Sequence, residues 1–510
     1  MLSFRRFLAL SIAFTSTTLF SKTDYRIIAP KEISSVVLKY AKSHPDLSSQ
    51  VLSKQLQTFL NKRGYTFAQV SIDDNSGLRT ISVKPGIYGQ PSISGNKHLS
   101  NIGILENLGW ENGKAFNYSN FYNHSARLNK NRFVQVDTKL KPIRSDNGEI
   151  QVNADFEVED RFPVSPYIRV SNDGSRQTSG WRATLGAEFW ESLMTNDRFN
   201  LSYTMDPQNA SKQFSSFASY QFGTSGFRQS IYFGYSDSSN DNLVSSLDMD
   251  IVGKGFFTGY SAVVPVGFLE PGEFDLNFGL NYSDLKTQID VGGANFSDHD
   301  LALLLPKIGL QGEFSNPLGL TGKSYWSISI ISDLSTSDNE DLRSQNPELN
   351  RGFWVPQFSF AALEAIDFLG IDGGFKFKID GQFASEPLPA SLKKPIGGVR
   401  SIRGYDEREA LGDSGMCLNL EYSFNSEKTS LFGAEGNLQK VFFYDAGYVS
   451  NEGSLSSVSD SIGMQSFGVG LVGDFEQSTN FSLQFGVPIE NTFNTNAHDV
   501  HTHFAFSINF

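Results

Sequence analysis

The sequence predicts a mainly β chain in two parts: an antiparallel transmembrane β-barrel of about 16 strands, preceded by two small α+β domains of βααββ plan. Three observations carry this. From about residue 161 to Phe510, apolar and polar residues alternate with period two. Between residues 24 and 160, a strand–helix–helix–strand–strand plan occurs twice in tandem. Aromatic residues make up 13% of the chain, yet no apolar run after the N-terminus approaches the ~20 residues of a spanning helix. A helical membrane protein is therefore excluded. A barrel is not, because its strands are apolar only at every second position.

The composition sets further bounds. A chain of 510 residues builds a core easily and holds several domains. Its net charge of -13 disfavours a nucleic-acid partner. The single cysteine, Cys417, rules out an intramolecular disulfide framework. At the N-terminus, Arg5 and Arg6 precede a short apolar centre, Phe7 to Phe14, and then small and polar residues up to Ser21 and Lys22. This reads as a secretory signal peptide over residues 1–21. An organellar transit peptide is the alternative, since no acid precedes Asp24.

The first small domain, residues 22–86, opens with a strand at Tyr25 to Ile28. Helices follow from Ile33 to about Ala41 and from Ser49 to Arg63, the second with Val51, Leu52, Leu56, Phe59 and Leu60 on one face. Gly64 stands where a helix ends. Strands Phe67 to Ile72 and Leu78 to Val83 flank an Asp73-to-Gly77 turn. The second domain, residues 87–160, repeats the plan with a strand from Ile87 to Ile93 and helices from Leu99 to Leu108 and Tyr118 to Asn129. Strands Phe133 to Leu140 and Glu149 to Glu157 close it around Asp146-Asn147-Gly148.

The barrel occupies residues 161–510. Phe199, Leu201 and Tyr203 alternate with Asn200, Ser202 and Thr204, and Phe375, Phe377 and Ile379 alternate with Lys376, Lys378 and Asp380. Segments Trp326 to Ile330 and Leu418 to Phe424 follow the same rule. A soluble sandwich alternates too. Two features place lipid outside here: the polar face carries charges, as a wet lumen would, and aromatics gather as an interfacial girdle at Trp181, Trp190, Phe256, Phe257, Tyr325 and Trp326. The longer connections, Asp237 to Leu247, Ser335 to Gly352 and Ser385 to Gly415, are expected outside the cell, the last as an inserted loop at about 386–415. The chain ends in the alternating strand Phe504 to Phe510, whose apolar edge a closed barrel would cover.

Motifs for catalysis are missing. No nucleophile elbow, phosphate loop or zinc-protease helix occurs, so no catalytic or cofactor-binding site is predicted and the chain reads as a non-enzyme. His501 and His503 share the polar face of the last strand, but no carboxylate or cysteine set surrounds them, and no metal is expected.

The remaining motif is Gly397-Gly-Val-Arg-Ser-Ile-Arg-Gly-Tyr405, a basic, glycine-rich tip between two strands. Its Ile402-Arg403-Gly404-Tyr405 resembles the loop tetrad of the two-partner secretion outer-membrane transporters of the haemolysin-activator type, within the POTRA plus β-barrel superfamily. Phe443-Tyr-Asp445-Ala-Gly447 resembles the Phe-x-Asp-x-Gly strand of the same family, and the tandem domains resemble its POTRA domains. Alternation puts Phe443, Asp445 and Gly447 on the luminal face. The resemblance then implies that the loop folds inward and brings Arg403 to Asp445, with Glu421 as a rival partner. It further implies an outer-membrane translocator that exports a partner exoprotein, of adhesin or haemolysin type and with an N-terminal secretion domain, after capture by periplasmic POTRA domains. Outer-membrane lipid and the barrel-assembly machinery are the other implied partners. The alternative is an assembly factor that inserts barrels, and a solute pore is a third reading. The chain departs from the family pattern at Asn131-Arg132-Phe133 and at Pro142-Ile143. Few residues separate the leader from the first domain, so the family's N-terminal plug helix is expected to be missing.

Overall fold

The computed structural model describes residues 17–20 and 25–510, apart from 76–77, 130–132, 146–147, 176–178, 191–196, 225–226, 245–248, 270–271, 292–293, 316–321, 336–338, 369–370, 432, 454–460 and 477–478. Most of the expected leader and the turns at Asp146-Asn147 and Asn131-Arg132 lie outside the described residues. The chain divides into two compact units, Met1–Pro163 and Val164–Phe510.

The first unit holds two sheets. One has four strands in the order Thr17–Phe20, Tyr25–Ala29, Leu78–Lys84, Gln69–Asn75, its two central strands parallel. Helices Lys31–Ser43 and Ser49–Lys62 cover it. Leu52, Leu56 and Leu60 recur at every fourth position and are fully buried against Ile27, Val37 and Ile81. Val51, expected on that face, is 44% exposed, because the stripe runs one position further round the helix. Thr17–Phe20 belongs to the segment read as leader, so cleavage there would leave a three-stranded sheet.

The second sheet has three strands in the order Ile87–Ser94, Ile150–Asp160, Val134–Arg144. Helices Asn101–Asn107 and Tyr118–Leu128 complete the plan. Both helices start at a side-chain cap: Ser100 Oγ accepts from the Gly103 amide and Asn117 Oδ1 from the Asn120 amide, each at 3.0 Å. The core is aromatic, with the Trp110 ring 4.8 Å from Tyr88, 5.2 Å from Phe156 and 5.7 Å from Phe121. Asn117 Nδ2 also donates to the Arg63 carbonyl at 3.0 Å, which ties the second set of elements to the end of helix Ser49–Lys62.

The second unit is a closed antiparallel barrel that runs from Val164–Ser171 to His501–Asn509, which pair to shut the ring. Ser414–Phe424 and Glu427–Leu431 lie end to end on the same neighbour, Ala434–Ser450, so the ring has sixteen strands. Closure leaves no unpaired edge in lipid. Leu185, Leu201, Phe233, Ile328, Phe442 and Val469 are exposed on the outside, as a lipid-facing wall requires. Lys376, Lys378 and Asp380 fall on the inner parity.

Two sequence expectations change here. Asp237 to Leu247 is mostly not a connection: Phe227–Val244 continues as strand and pairs with Met249–Leu269. With 20 to 22 residues, Gly272–Val291 and Ala294–Ser315 exceed the about 9–11 needed to cross a bilayer, so such hairpins stand above it. There neither face must be apolar, and the alternation that marks a strand fades. The girdle is also smaller than expected. Trp190, Phe257 and Tyr325 lie on the inner parity, opposite Arg198, Ser283 and Glu313.

Connections at one end are short, two residues at 225–226, 270–271 and 369–370. At the other end they include 333–353, 383–413 and 489–500. Short periplasmic turns and long external loops are the rule for such barrels.

Candidate functional site: an inserted loop and its luminal seat

Residues 383–413 leave the barrel wall at Gln382 and return at Ser414. The root is tied first. Gln382 Nε2 donates to the Leu392 and Asp413 carbonyls at 2.9 and 3.0 Å. The buried Asp413 carboxylate accepts the Leu388 and Glu452 amides, both at 2.8 Å, and lies 3.0 Å from Lys393 Nζ. A short hairpin, Lys394–Ile396 with Ala410–Gly412, carries the chain inward. Ile396, Ile402 and Tyr405 are each fully buried and pack on Cys417, Val449 and Met464 of the inner wall.

At the tip, Arg403 meets Asp445 in a bidentate pair, Nε to Oδ2 at 2.7 Å and Nη2 to Oδ1 at 2.9 Å. The Arg403 backbone amide donates to the same carboxylate at 3.1 Å. Nη1 reaches Glu421 at 2.6 Å and Gln484 at 3.2 Å. The guanidinium carbon lies 3.6 Å from the Phe443 ring centroid. Arg403 is 6% exposed and Asp445 fully buried, so the charges are compensated within the seat and not by water. Asp445 and Glu421 are thus joint partners of one cation, not rivals.

The other motif residues act through close packing and hydrogen bonds. Gly404 has φ +93° and its backbone passes against that of Gly486; a Cβ on Gly486 would lie 2.5 Å from the Gly404 nitrogen. The Gly404 amide donates to His503 Nε2 at 3.0 Å, which fixes the imidazole as the Nδ1-protonated tautomer. The Tyr405 hydroxyl donates to the Gln465 carbonyl at 2.9 Å and accepts the Glu490 amide at 3.2 Å. Gly447 leaves room for Ile402, whose Cδ1 would stand 2.8 Å from an added Cβ.

Further out, Glu407 accepts the Val399 amide at 2.7 Å. Burial, with Asp173 and Asp406 close by, pushes its carboxyl up to about 7.

Sequence reading missed Gln484, Gly486 and His503. His503 was visible only as one of two histidines on a polar face. Contact with a tip 99 residues earlier needs the closed ring. Among the described residues no group of three metal-ligating side chains comes together. What this arrangement does chemically is hold a loop inside a pore by one buried cation, two carboxylates and backbone packing.

The family model described as haemolysin secretion/activation protein ShlB/FhaC/HecB matches residues 357–473, which include the loop and the Asp445 strand. The heme/hemopexin transporter protein HuxB of Haemophilus influenzae (strain 86-028NP) is 22% identical over 523 residues, covering 94% of this chain and 84% of that protein. Over the loop and the strands that seat it, the chain is similar to the haemolysin secretion/activation family. Solved structures share the fold of this chain end to end. CdiB from Escherichia coli matches with a TM-score of 0.76 at 14% identity, over 99% of this chain and 93% of that one. CdiB from Acinetobacter baumannii gives 0.71 at 16% identity, over 96% and 89%. BamA from Haemophilus ducreyi lacking POTRA domains 1–3 gives only 0.54 at 14% identity, over 96% and 99%. The closed barrel and the family match are those of an outer-membrane secretion transporter.

Proposed function

We propose that the POTRA pair, residues 22–160, captures an unfolded exoprotein through the secretion domain at its N-terminus and feeds it to a lumen controlled by the 386–415 loop. The observation that carries this reading is the Arg403 clamp: the loop obstructs its own pore and is held there by a compact set of polar contacts that a transport cycle can break. Capture rests on geometry too. Val134–Arg144 is an edge strand of its sheet, and Gln69–Asn75 edges the other. Such edges bind extended chain by β-addition, with backbone hydrogen bonds and little sequence demand. The periplasm supplies no ATP, so folding of the exoprotein outside gives direction. HuxB is named a heme/hemopexin transporter, and an exoprotein of adhesin or haemolysin type is the cargo class proposed for this chain. Outer-membrane lipid surrounds the apolar wall, and the barrel-assembly machinery inserts it.

The test is deletion of residues 24–160. Secretion of the exoprotein is abolished while the heat-modifiable barrel remains in the outer membrane. Unchanged export by the deleted form would reject capture by these domains.

A further inference from the structure

Five successive residues of strand Ala294–Ser315, Leu301-Ala-Leu-Leu-Leu305, are apolar, although the luminal positions further along the strand are Lys307, Gln311 and Glu313. Ile308, 48% exposed, marks the outer parity, so Leu301, Leu303 and Leu305 point into the barrel. They are 1%, 1% and 7% exposed. A strand apolar on both faces needs cover on both. Lipid or the outer wall accounts for one side only.

The inner cover is the connection between strands Lys323–Ser332 and Trp354–Phe368. Leu342 on the helix Asn339–Gln345, with Leu349 and Phe353, packs directly on the three leucines, and Leu388 from the root of the inserted loop joins them. The connection is pinned to the wall by polar contacts: the Leu334 amide donates to the Leu304 carbonyl at 2.9 Å, the Leu304 amide to Ser335 Oγ at 2.7 Å, and Arg351 to the Ala302 carbonyl at 3.2 Å. At its far side Glu348 abuts Gly453, beyond strand Ala434–Ser450. The cover therefore reaches from the Leu301 wall to the 451–453 connection on the external side.

We propose that residues 339–353 are an external lid that closes the mouth of the lumen and must lift for the exported chain to leave. The lid is a second barrier, separate from the Arg403 seat deeper in the barrel. Leu388 links the two, so displacement of the inserted loop withdraws part of the surface on which the lid rests. The inference rests on the export reading for its purpose, but the barrier itself is a property of the pore alone.

Two measurements decide it. In a Cys417→Ser background, Leu303→Cys with Leu342→Cys ties the lid to the wall when oxidised. Exoprotein secretion is lost on oxidation, at least tenfold, and returns with reductant; equal secretion in both states overturns the lid. In planar bilayers, replacing residues 340–350 with a short glycine–serine linker raises single-channel conductance severalfold, and an unchanged conductance overturns the lid as well. The conductance arm needs no exoprotein. Should the unmodified chain export nothing in the same cells, the export reading falls while conductance still decides the lid.

Discussion

Arg403 makes six close contacts with four residues of the seat, yet the energetic weight falls on the charged ones. Removing one side of a buried, hydrogen-bonded ion pair costs about 3–5 kcal/mol, because the remaining charge is stranded. Arg403→Ala leaves Asp445 and Glu421 together without a cation; Asp445→Ala leaves Arg403 with Glu421 alone. Each change is expected to cut secretion about tenfold or more with barrel insertion intact. The double mutant should be no worse than Arg403→Ala, since the interaction is lost once; additive defects would separate the two residues. Glu421→Ala should be milder, because the bidentate pair and the amide contact survive. Gly486→Ala makes a steric counterpart. Its methyl would occupy the space of the Gly404 backbone, so a thiol at Ile402, buried in the seat, should become reactive to maleimide.

Glu407 gives the loop a pH dependence with a definite sign. Its carboxyl titrates at about 7 when the tip is seated and near the ordinary 4.5 when released. A raised acid is stabilised in its protonated form, so docking is fully supported below about 4.5 and that support is lost as pH rises through about 7. Labelling of a thiol at position 402, scaled to an exposed control thiol, should be slower at pH 5 than at pH 8. Glu407→Gln should remove the difference; a difference that persists would place the titrating group elsewhere.

At the scale of elements, Asp160 shows how one side chain sets a boundary. Burial would raise its carboxyl, but the Leu99, His98 and Lys97 amides outweigh this and hold it below the usual range. Its contribution is present above the unfolded value and is lost as pH falls through the folded one. Asp160→Ala should speed hydrogen exchange at those three amides by one to two decades, equivalent to about 1–3 kcal/mol for contacts to a charged group. Exchange at the helix Tyr118–Leu128 serves as the internal reference. Elements were legible in the sequence wherever solvent differed across them. Phe375 to Ile379 alternates because lipid lies on one side and water on the other. The hairpin through Asp237 was not legible, since it leaves the bilayer and loses that contrast. Leu301 to Leu305 is a short apolar run that fits a strand buried on both faces, but periodicity alone does not separate it from a buried helix segment.

For the whole molecule, the sixteen-strand ring and the two-part plan could be read from periodicity, and the pairing of Arg403 with Asp445 from motif and parity together. Gln484 and His503 could not, because parity says only that a side chain faces the lumen, not what reaches it there. The loop is the deeper of two obstructions. Deleting Lys393 to Glu409 should raise conductance in planar bilayers, and more so in combination with lid removal. Conductance that stays at the level of the intact chain in the loop deletion would assign the seal to the lid alone.

The seat also fixes an order of events during biogenesis. Its contacts come from residues 419, 421, 445, 484 and 503, the last on the strand that closes the ring. The loop emerges from the export machinery long before His503 does, and has nowhere to dock until the final strand is in place. Contacts of such long sequence separation form late and slowly. Nascent barrels must therefore pass through a protease-sensitive stage in which residues 386–415 dangle, and the appearance of a protected loop reports that the ring has closed. The same clamp that holds the resting pore thereby serves as a proofreading step: a barrel whose last strand has not joined cannot hold its own gate.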